Sequence, residues 1–306
     1  MILVTGGLGM IGAHTARALV DLGHEVVVTT HRRTEVPSFL AGRVTVEPLD
    51  VTDRDAFLAL AGRYDISGIA HLAGTIPGQD PVGFFRADTT GLLNALDAAR
   101  TWGVRRFAVA SSLGVYIGRT ETRWHEELAL PAAGLPHLIL AFKKAVEPLT
   151  THSLQGSGVQ PAVLRIGSTW GPLMDPESPF NHIPPYISAV LRGEEPRPLH
   201  ADDGGDCCYA PDAGRAIALL TTGQTLRHDT YNVSSGRPFT NREFADALQA
   251  ITPGLRLDLR PGRRHGPGDD SYLDTARLTQ DTGFAPTFDV ATAVADYVAW
   301  RADNPR

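Results

Sequence analysis

The chain begins with a glycine-rich turn that joins an apolar strand to a helix. Residues 2–4 form a short apolar run, and Gly6, Gly9 and Gly12 then recur at every third position. Glycines in this arrangement allow a tight turn, bare backbone beside a pyrophosphate and close packing of helix on strand. The positive end of the helix then faces the phosphates. Because residues 25–30 follow as a second apolar strand, the stretch predicts a dinucleotide-binding unit.

Composition and charge narrow the classes of protein that this chain can belong to. The formal net charge is −6 with both signs dispersed, which argues against a nucleic-acid partner. No apolar run approaches the roughly 20 residues of a membrane span, and the start does not resemble a secretory signal, so we expect a cytoplasmic protein without a membrane partner. Cys207 and Cys208 are adjacent, unlike the cysteines of a disulfide framework or a zinc site. We predict that they pack in the core and that the chain binds no metal.

Strand and helix patterns alternate along the first half of the chain. This alternation is typical of an α/β protein with a parallel sheet. The fifth predicted strand delivers Ser111 and Ser112 at its carboxyl end, the edge at which doubly wound sheets bind ligands. The strands predicted after the second are 43–48, 66–72, 107–110 and 160–166, and the helices predicted beside them are 53–61, 82–102 and 137–152.

The composition changes after Trp170. Prolines crowd into the next thirty or so residues, which is typical of a domain boundary followed by a loop-rich lobe. Further on, residues 230–233 are predicted to form a short strand and residues 241–251 a helix. We therefore expect a first domain in residues 1–170 and a second lobe that begins at residue 171.

Several longer motifs follow the glycine-rich turn. They are TGGLGMIG at 5–12, HLAG at 71–74, SSLGVY at 111–116, LRIGSTWGP at 164–172, DCCYAPDAGRAI at 206–217 and YNVSSGRP at 231–238. Together they resemble the motifs of the extended short-chain dehydrogenase/reductase family, which contains NAD(P)-dependent sugar epimerases, dehydratases and related reductases. The resemblance covers almost the whole chain.

The resemblance carries expectations about the fold and assembly. It implies a Rossmann-type, doubly wound parallel sheet in residues 1–170, with return segments near 205–235. It also implies a smaller, discontinuous C-terminal substrate-binding lobe, mainly in residues 171–306. A homodimer through the helices after the fourth and fifth strands would follow the habit of the family.

The residue that ends the second strand indicates which nicotinamide cofactor is bound. NAD-preferring chains carry an acidic residue there, which holds the ribose 2′-hydroxyl, but this chain has Thr30 followed closely by Arg32 and Arg33. Guanidinium groups suit a 2′-phosphate, so we predict NADP(H) in preference to NAD(H). The alternative is that Arg32 and Arg33 only solvate a loop and that other contacts hold NAD.

The remaining cofactor contacts are implied by the resemblance. They lie in the glycine-rich turn or at the carboxyl ends of the predicted strands, where Asp50 and Val51 match the family's adenine contact. The full set of predicted cofactor-binding residues is Gly6, Gly9, Met10, Ile11, Gly12, Thr30, Arg32, Arg33, Asp50, Val51, Leu72, Ala73, Gly74, Ser111, Lys143 and Ile166.

The catalytic centre departs from the family pattern. The resemblance assigns proton transfer to the Tyr and Lys of a YxxxK motif, with a Ser or Thr hydroxyl as third member. Aligning Lys143 and Glu147 with the family's KxxxE pattern puts Ile139 at the position of the Tyr. Residues four apart lie on one helix face, but an aliphatic side chain cannot carry a proton. The loss of a positioned general acid costs about 10²- to 10⁴-fold in rate.

Three interpretations of this replacement stay open. In the first, Lys143, or a water that it orients, is the acid or base, with a pKa lowered by an apolar pocket. In the second, Tyr116 or Ser112 takes over the proton transfer. In the third, the site does not catalyse and the chain binds NADP(H) as a sensor or scaffold. We predict catalysis, with Lys143, Ser112 and Tyr116 as the catalytic residues.

The predicted activity is oxidation or reduction of a small hydroxylated or carbonyl substrate. The alternative enzyme is a nucleotide-sugar epimerase or dehydratase with tightly bound NAD. Family members of that kind carry an Arg before the Asp that corresponds to Asp206, whereas Gly205 stands here, which weakens this alternative. His182, Tyr186 and Trp170 are candidates to line the substrate pocket.

Overall fold

A central parallel sheet organises the protein. The computed structural model describes residues 1–132, 134–264 and 270–306, and within them seven strands form the sheet in the order β7-β6-β5-β4-β1-β2-β3. The order reverses beside β1, as in a doubly wound fold, and the predicted fold class is therefore confirmed. The strands are β1 Ile2–Thr5, β2 Val26–Thr30, β3 Thr45–Pro48, β4 Gly68–His71, β5 Arg106–Ser112, β6 Gln160–Ile166 and β7 Thr230–Val233.

Helices cover both faces of the sheet. Leu3 of β1 faces an apolar cluster with α2, α3 and α4, whereas its neighbour Val4 faces a cluster with α1 and α6. Burial on both faces explains why the strands are almost continuously apolar. In the described residues the helices are α1 Met10–Asp21, α2 Arg54–Leu58, α3 Pro81–Trp102, α4 Leu138–Leu154, α5 Ile183–Leu191, α6 Ala210–Thr222, α7 Asn241–Ile251, α8 Ala276–Thr282 and α9 Val290–Asp303, with 3-10 turns at Ser38–Leu40, Ala59–Gly62 and Leu113–Tyr116.

The second part of the chain builds a smaller apolar centre and also returns to the sheet. Trp170, Ile187, Phe244 and Tyr297 pack together between α5, α7 and α9. In contrast, α6 packs on α1, and β7 pairs in parallel with β6. The short strand pairs are Gly204–Asp206 with Pro238–Thr240, Thr169–Trp170 with Cys208–Tyr209, Leu199–His200 with Leu259–Arg260, and Arg123–Trp124 with Tyr272–Leu273.

None of the helices in the described ranges combines the length and the apolar character needed to cross a bilayer.

A buried ion pair fixes α4 against the sheet. Arg165 of β6 donates from Nε to Glu147 Oε1 at 3.0 Å and from Nη2 to Glu147 Oε2 at 2.8 Å. The hydroxyl of Ser111, at the end of β5, donates to the same Glu147 Oε1 at 2.6 Å. The side chains of Arg165 and Glu147 are only 6% and 12% exposed. One carboxylate of α4 is therefore tied to two neighbouring strands.

We expect Glu147→Gln to destabilise the protein by about 3 kcal/mol, because it leaves the Arg165 charge buried without its counter-charge. Equilibrium urea denaturation measures this loss. Glu177→Gln is the matched control, since Glu177 pairs with Arg192 in an exposed contact of 2.9 Å and such pairs contribute about 0–1 kcal/mol. Equal unfolding free energies for the two variants would contradict this assignment.

Candidate cofactor and active site

The glycine-rich turn has the geometry of a phosphate cradle. Gly6 has φ +67°, which glycine adopts without strain. A Cβ on Gly12 would lie 2.3 Å from the Gly6 carbonyl oxygen, so α1 can approach the turn this closely only with glycine. No side chain in the described part of the chain caps the start of α1, and its first turn carries no acidic residue. The backbone N–H groups at Met10, Ile11 and Gly12 therefore suit a pyrophosphate, and the residues present fit a dinucleotide.

The loop after β2 carries the two arginines predicted to select the cofactor. Arg32 and Arg33 are both exposed. Arg33 Nη1 donates to the Leu8 carbonyl oxygen at 3.2 Å, and the Thr30 hydroxyl donates to the Arg33 carbonyl oxygen. Arg33 thus lies against the glycine-rich turn, and Arg32 belongs to the same exposed loop after β2.

Asp50 and Val51 form a fixed turn at the end of β3. Asp50 Oδ1 accepts hydrogen bonds from Thr52 N at 2.9 Å and Thr52 Oγ1 at 2.8 Å, which lower the pKa of Asp50. His31 Nε2 lies 3.7 Å from the other carboxylate oxygen. Asn94 Nδ2 of α3 donates to the Val51 carbonyl oxygen at 2.9 Å. Asp50 and His31 therefore meet beside the arginine loop.

The segment after β4 lies directly against the glycine-rich turn. Thr5 Oγ1 accepts from Leu72 N and Ala73 N, both at 3.2 Å, so its own hydrogen is donated to His71 Nδ1 at 2.9 Å. This assigns the His71 proton to Nε2, and burial lowers the pKa of His71 to about 3. A Cβ on Gly6 would lie 2.9 Å from Ala73 Cα. Two of the predicted cofactor-binding segments are therefore in contact.

Lys143 lies at the carboxyl edge of the sheet. Its Nζ donates to the Ala110 carbonyl oxygen of β5 at 2.7 Å. Burial lowers the pKa of Lys143 to about 8, while the negative charge of Asp88 acts in the opposite direction. Ile139, one turn earlier on α4, is partly buried and packs on the apolar cluster between α4 and the sheet. The ammonium group therefore sits beside an apolar surface at the predicted cofactor position.

The two serines at the end of β5 have different surroundings. Ser112 is partly exposed, and its Oγ accepts from Gly114 N at 3.1 Å, so its hydrogen can be donated to a ligand. Ser111 is only 3% exposed and donates inward to Glu147. Ile166, also predicted at the cofactor, is 6% exposed at the end of β6. Ser112 is thus the serine whose hydroxyl is available at the sheet edge.

Tyr116, which the sequence predicts as a catalytic residue, does not line the cleft. It is fully buried, and its hydroxyl donates to Asn232 Oδ1 at 2.9 Å and accepts from Arg165 Nη1 at 2.7 Å. Burial raises the pKa of Tyr116 to about 12. The 3-10 turn Leu113–Tyr116 directs this side chain into the core. Its hydroxyl therefore belongs to a buried hydrogen-bond network with Asn232 and Arg165.

A cleft of about 560 Å³ opens between the loop that begins at Leu113, the residue after Ser112, and the second part of the chain. Neither Ser112 nor Lys143 is among the described residues that line it. His182 lines it as predicted, and its Nε2 lies 3.0 Å from Asn241 Oδ1. Trp170 instead lines a second cavity of about 420 Å³, and Tyr186 is only 5% exposed within the lobe's apolar centre. The cleft wall includes Leu113, Ile117, Arg119, Phe180, Asn181 and Phe239.

The two cysteines differ in their surroundings. Cys208 is buried, as predicted, with 1% of its surface exposed. Cys207 is only partly buried and lines the cleft, so the core-packing prediction does not describe it fully.

Sequence reasoning did not identify Asp88. Its carboxylate Oδ1 accepts from Thr75 N at 3.2 Å and from Thr75 Oγ1 at 2.8 Å. One signal was available, because Asp88, Gly91 and Ala95 share a helix face and the last two are buried. An acidic residue on the buried side of a helix calls for a partner.

Comparison with known proteins adds independent findings. A family model described as the NAD dependent epimerase/dehydratase family matches residues 2–234. UDP-glucose 4-epimerase of Mus musculus is 24% identical over 346 residues, covering 99% of this chain and 97% of the relative. dTDP-glucose 4,6-dehydratase of Streptomyces griseus is 28% identical over 316 residues, covering 98% and 93%. The crystal structure of UDP-glucose 4-epimerase with UDP-glucose from Thermotoga maritima has a TM-score of 0.82 at 22% identity, covering 98% of each chain, and this likeness shows the fold.

We expect Lys143→Met to stabilise the folded protein by about 1–2 kcal/mol at neutral pH. The folded chain releases the Lys143 proton near pH 8, whereas the ordinary pKa is 10.5. The unfolded chain therefore binds more protons between these values, and the cost of burying the charge is full below pH 8 and disappears as the pH rises toward 10.5. The stability gained by Lys143→Met should shrink over the same interval.

Urea denaturation at neutral pH and at about pH 10 measures both effects. Lys144→Met is the control, because the neighbouring lysine donates to the Pro131 carbonyl oxygen away from Ala110. Burial lowers the pKa of Lys144 as well, so we expect a change in the same direction but a smaller one than for Lys143→Met. A gain in stability that is the same at both pH values would count against a buried charge at Lys143.

Proposed function

Because the chain belongs to the NAD dependent epimerase/dehydratase family, of the extended short-chain dehydrogenase/reductase type, we propose that it is a nicotinamide-dependent oxidoreductase whose proton-carrying group is Lys143. The observation that carries this proposal is the position of Lys143, beside Ala110 at the sheet edge, with a pKa lowered to about 8. A lysine with that pKa exists in both protonation states near neutral pH. General acid or base catalysis requires such a group.

Each residue of the proposed site has a physical task. A nicotinamide ring, when bound, takes a hydride from a carbon or gives one to it. Lys143 would hold or release the proton of the substrate oxygen, directly or through a water that it orients. The Ser112 hydroxyl would donate a hydrogen bond to that oxygen. Tyr116 is not assigned a part in proton transfer, because its hydroxyl is engaged by Asn232 and Arg165.

The proposed substrate is a small compound that carries a hydroxyl or carbonyl group. The cleft that begins at Leu113 combines apolar side chains such as Phe180 and Phe239 with the polar groups of Asn181 and His182. Such a mixture suits a small molecule that is oriented by a few hydrogen bonds.

A second candidate is epimerisation or dehydration of a nucleotide sugar on tightly bound NAD. Relatives named as an epimerase and a dehydratase match almost the whole chain, which favours this candidate. Against it, the guanidinium of Arg119 in the cleft is bound to the Glu121 carboxylate, with Nε to Oε2 at 2.9 Å, and Gly205 contributes no side chain. The nucleotide-sugar candidate predicts nucleotide that copurifies with the protein, and a non-catalytic sensor predicts binding without turnover.

The proposed cofactor is NADP(H), with NAD(H) as the alternative. The position of Arg33 against the glycine-rich turn and the exposure of Arg32 beside it support this choice. A 2′-phosphate bound there would receive charge-assisted hydrogen bonds. A homodimer through α3 and α4 and a cytoplasmic location stay predictions.

We expect the double variant Arg32→Ala/Arg33→Ala to weaken NADPH binding at least tenfold, since each hydrogen bond from a charged group contributes about 1.5–3 kcal/mol. NADH binding should change little, because NADH has no 2′-phosphate. Fluorescence titration of nucleotide-stripped protein measures both. Arg192→Ala is the control for loss of a surface charge. Tighter binding of NADH than of NADPH, unaffected by the double variant, would refute the NADP(H) proposal.

We expect Ile139→Tyr to raise turnover with a panel of alcohols and ketones at least tenfold over the wild type, because it restores a phenol one turn before Lys143. Ile139→Phe is the matched control, with the same ring and no hydroxyl. Steady-state rates with NADPH and NADH measure the gain. If the Tyr and Phe variants are equally slow, the surrounding residues do not form a site for hydride transfer.

A further inference from the structure

Asp88 and Lys143 come from different helices but lie at the ends of neighbouring strands. Lys143 of α4 reaches the Ala110 carbonyl oxygen of β5 at 2.7 Å. Asp88 of α3 lies beside Gly74, just beyond β4, where a Cβ on Gly74 would be 3.7 Å from Asp88 Oδ2. Strands β4 and β5 are paired in parallel, with His71 opposite Val109. Both charged groups therefore stand at the same edge of the sheet.

Thr75 holds the Asp88 carboxylate in this position. Asp88 Oδ1 accepts from the Thr75 amide at 3.2 Å and from its hydroxyl at 2.8 Å. These bonds lower the pKa of Asp88, whereas its burial, the larger effect, raises it. The carboxylate is thus anchored by neutral donors, which satisfy part of its charge.

Lys143 needs a counter-charge that its direct contact does not supply. Its hydrogen bond goes to a neutral carbonyl oxygen, while burial disfavours the ammonium. Asp88 acts on Lys143 through space, with no hydrogen bond between the two among the residues that the structure describes. Because both groups stand at the same edge of the sheet, the Asp88 charge favours the charged form of Lys143 without a direct ion pair.

The other titratable groups around Lys143 cannot play this part. His71 of β4 is neutral because burial lowers its pKa to about 3. Glu147 of α4 is bound to Arg165 and Ser111. Lys144 carries a positive charge and donates to the Pro131 carbonyl oxygen. Asp88 is the carboxylate whose charge raises the pKa of Lys143.

We infer that Asp88 is the electrostatic partner of Lys143, a positioning residue that keeps the Lys143 ammonium charged at the sheet edge. This inference rests on the proposed function for its role in the reaction, in which a charged Lys143 donates the proton during reduction. Removing the Asp88 charge makes the neutral amine more favourable. The pH above which reduction declines then moves to a lower value.

The lysine content of the chain allows a direct measurement. Lys143 and Lys144 are its only two lysines, so protein labelled with ¹³Cε-lysine gives two NMR signals, and Lys144→Arg assigns them. A pH titration of the Lys143 signal reports its pKa without reference to activity. The wild-type value should be about 8.

The decisive variant is Asp88→Asn, which removes the charge and keeps the shape. We expect the pKa of Lys143 to fall below 8, so that less than half of the molecules carry the ammonium at pH 8. Asp97→Asn is the matched control on the same helix, because Asp97 pairs with Arg54 at 2.6 Å on the surface. It should leave the titration of Lys143 unchanged.

A second variant keeps the test open if Asp88→Asn does not fold. Thr75→Val retains the carboxylate but removes the hydroxyl that anchors it, and it should lower the pKa of Lys143 by a smaller amount. An unchanged pKa in the folded Asp88→Asn protein, or in Thr75→Val where only that variant folds, would overturn the inference.

The two proposals fail separately. If the pKa of Lys143 falls in Asp88→Asn but neither the wild type nor any variant turns over a substrate, the role of Asp88 is supported and the proposed reaction is refuted. If turnover depends on Lys143 but the pKa of Lys143 is the same in Asp88→Asn as in the wild type, the proposed reaction is supported and the role of Asp88 is refuted.

Discussion

The buried contact between Glu147 and Arg165 sets the position of everything that α4 brings to the site. Glu147 accepts two hydrogen bonds from Arg165 and one from Ser111, so a single carboxylate joins α4 to β5 and β6. Ile139 and Lys143 precede it by two turns and one turn on the same helix face. A slip of α4 would break a buried ion pair, whose separation is costly. These contacts of Glu147 therefore fix the register of α4. They also fix the position from which Lys143 reaches the Ala110 carbonyl oxygen.

The elements of the fold were predictable because their signals are local. The strands are buried on both faces, so each is recognisable from its own apolar run. The glycines of the first turn are recognisable as well, since Gly12, for example, is required by the nearby Gly6 carbonyl oxygen. The strand Thr230–Val233 has the bounds predicted for it. Its place beside β6 in the sheet is a long-range property that no pattern within the strand indicates, and the family resemblance implied only that segments near 205–235 return to the first domain.

The site was less predictable because its side chains are oriented by distant partners. Ser112 and Tyr116 belong to one motif and were both predicted as catalytic, yet the Tyr116 hydroxyl is hydrogen-bonded to Asn232 and Arg165, which lie 116 and 49 residues away in the chain. Asp88 is a similar case, because its proposed role depends on Lys143, which belongs to another helix. Charge alone does not distinguish it from Asp97, which lies on the solvent side of the same helix.

On the proposed alignment Ile139 stands where the family carries its tyrosine, and this position bears on the pKa of Lys143. A phenol one turn before Lys143 would add a polar group to that face of α4, whereas Ile139 adds apolar surface to the cluster between α4 and the sheet. On the proposed alignment, the residue that lacks a proton-carrying group would also add to the apolar surroundings that lower the pKa of Lys143. The charge of Asp88 limits the lowering of the Lys143 pKa. Without this counter-charge, fewer molecules would carry the ammonium that donates the proton in the proposed reaction. Burial and the charge of Asp88 act on the pKa of Lys143 in opposite directions, and its value of about 8 is the balance between them.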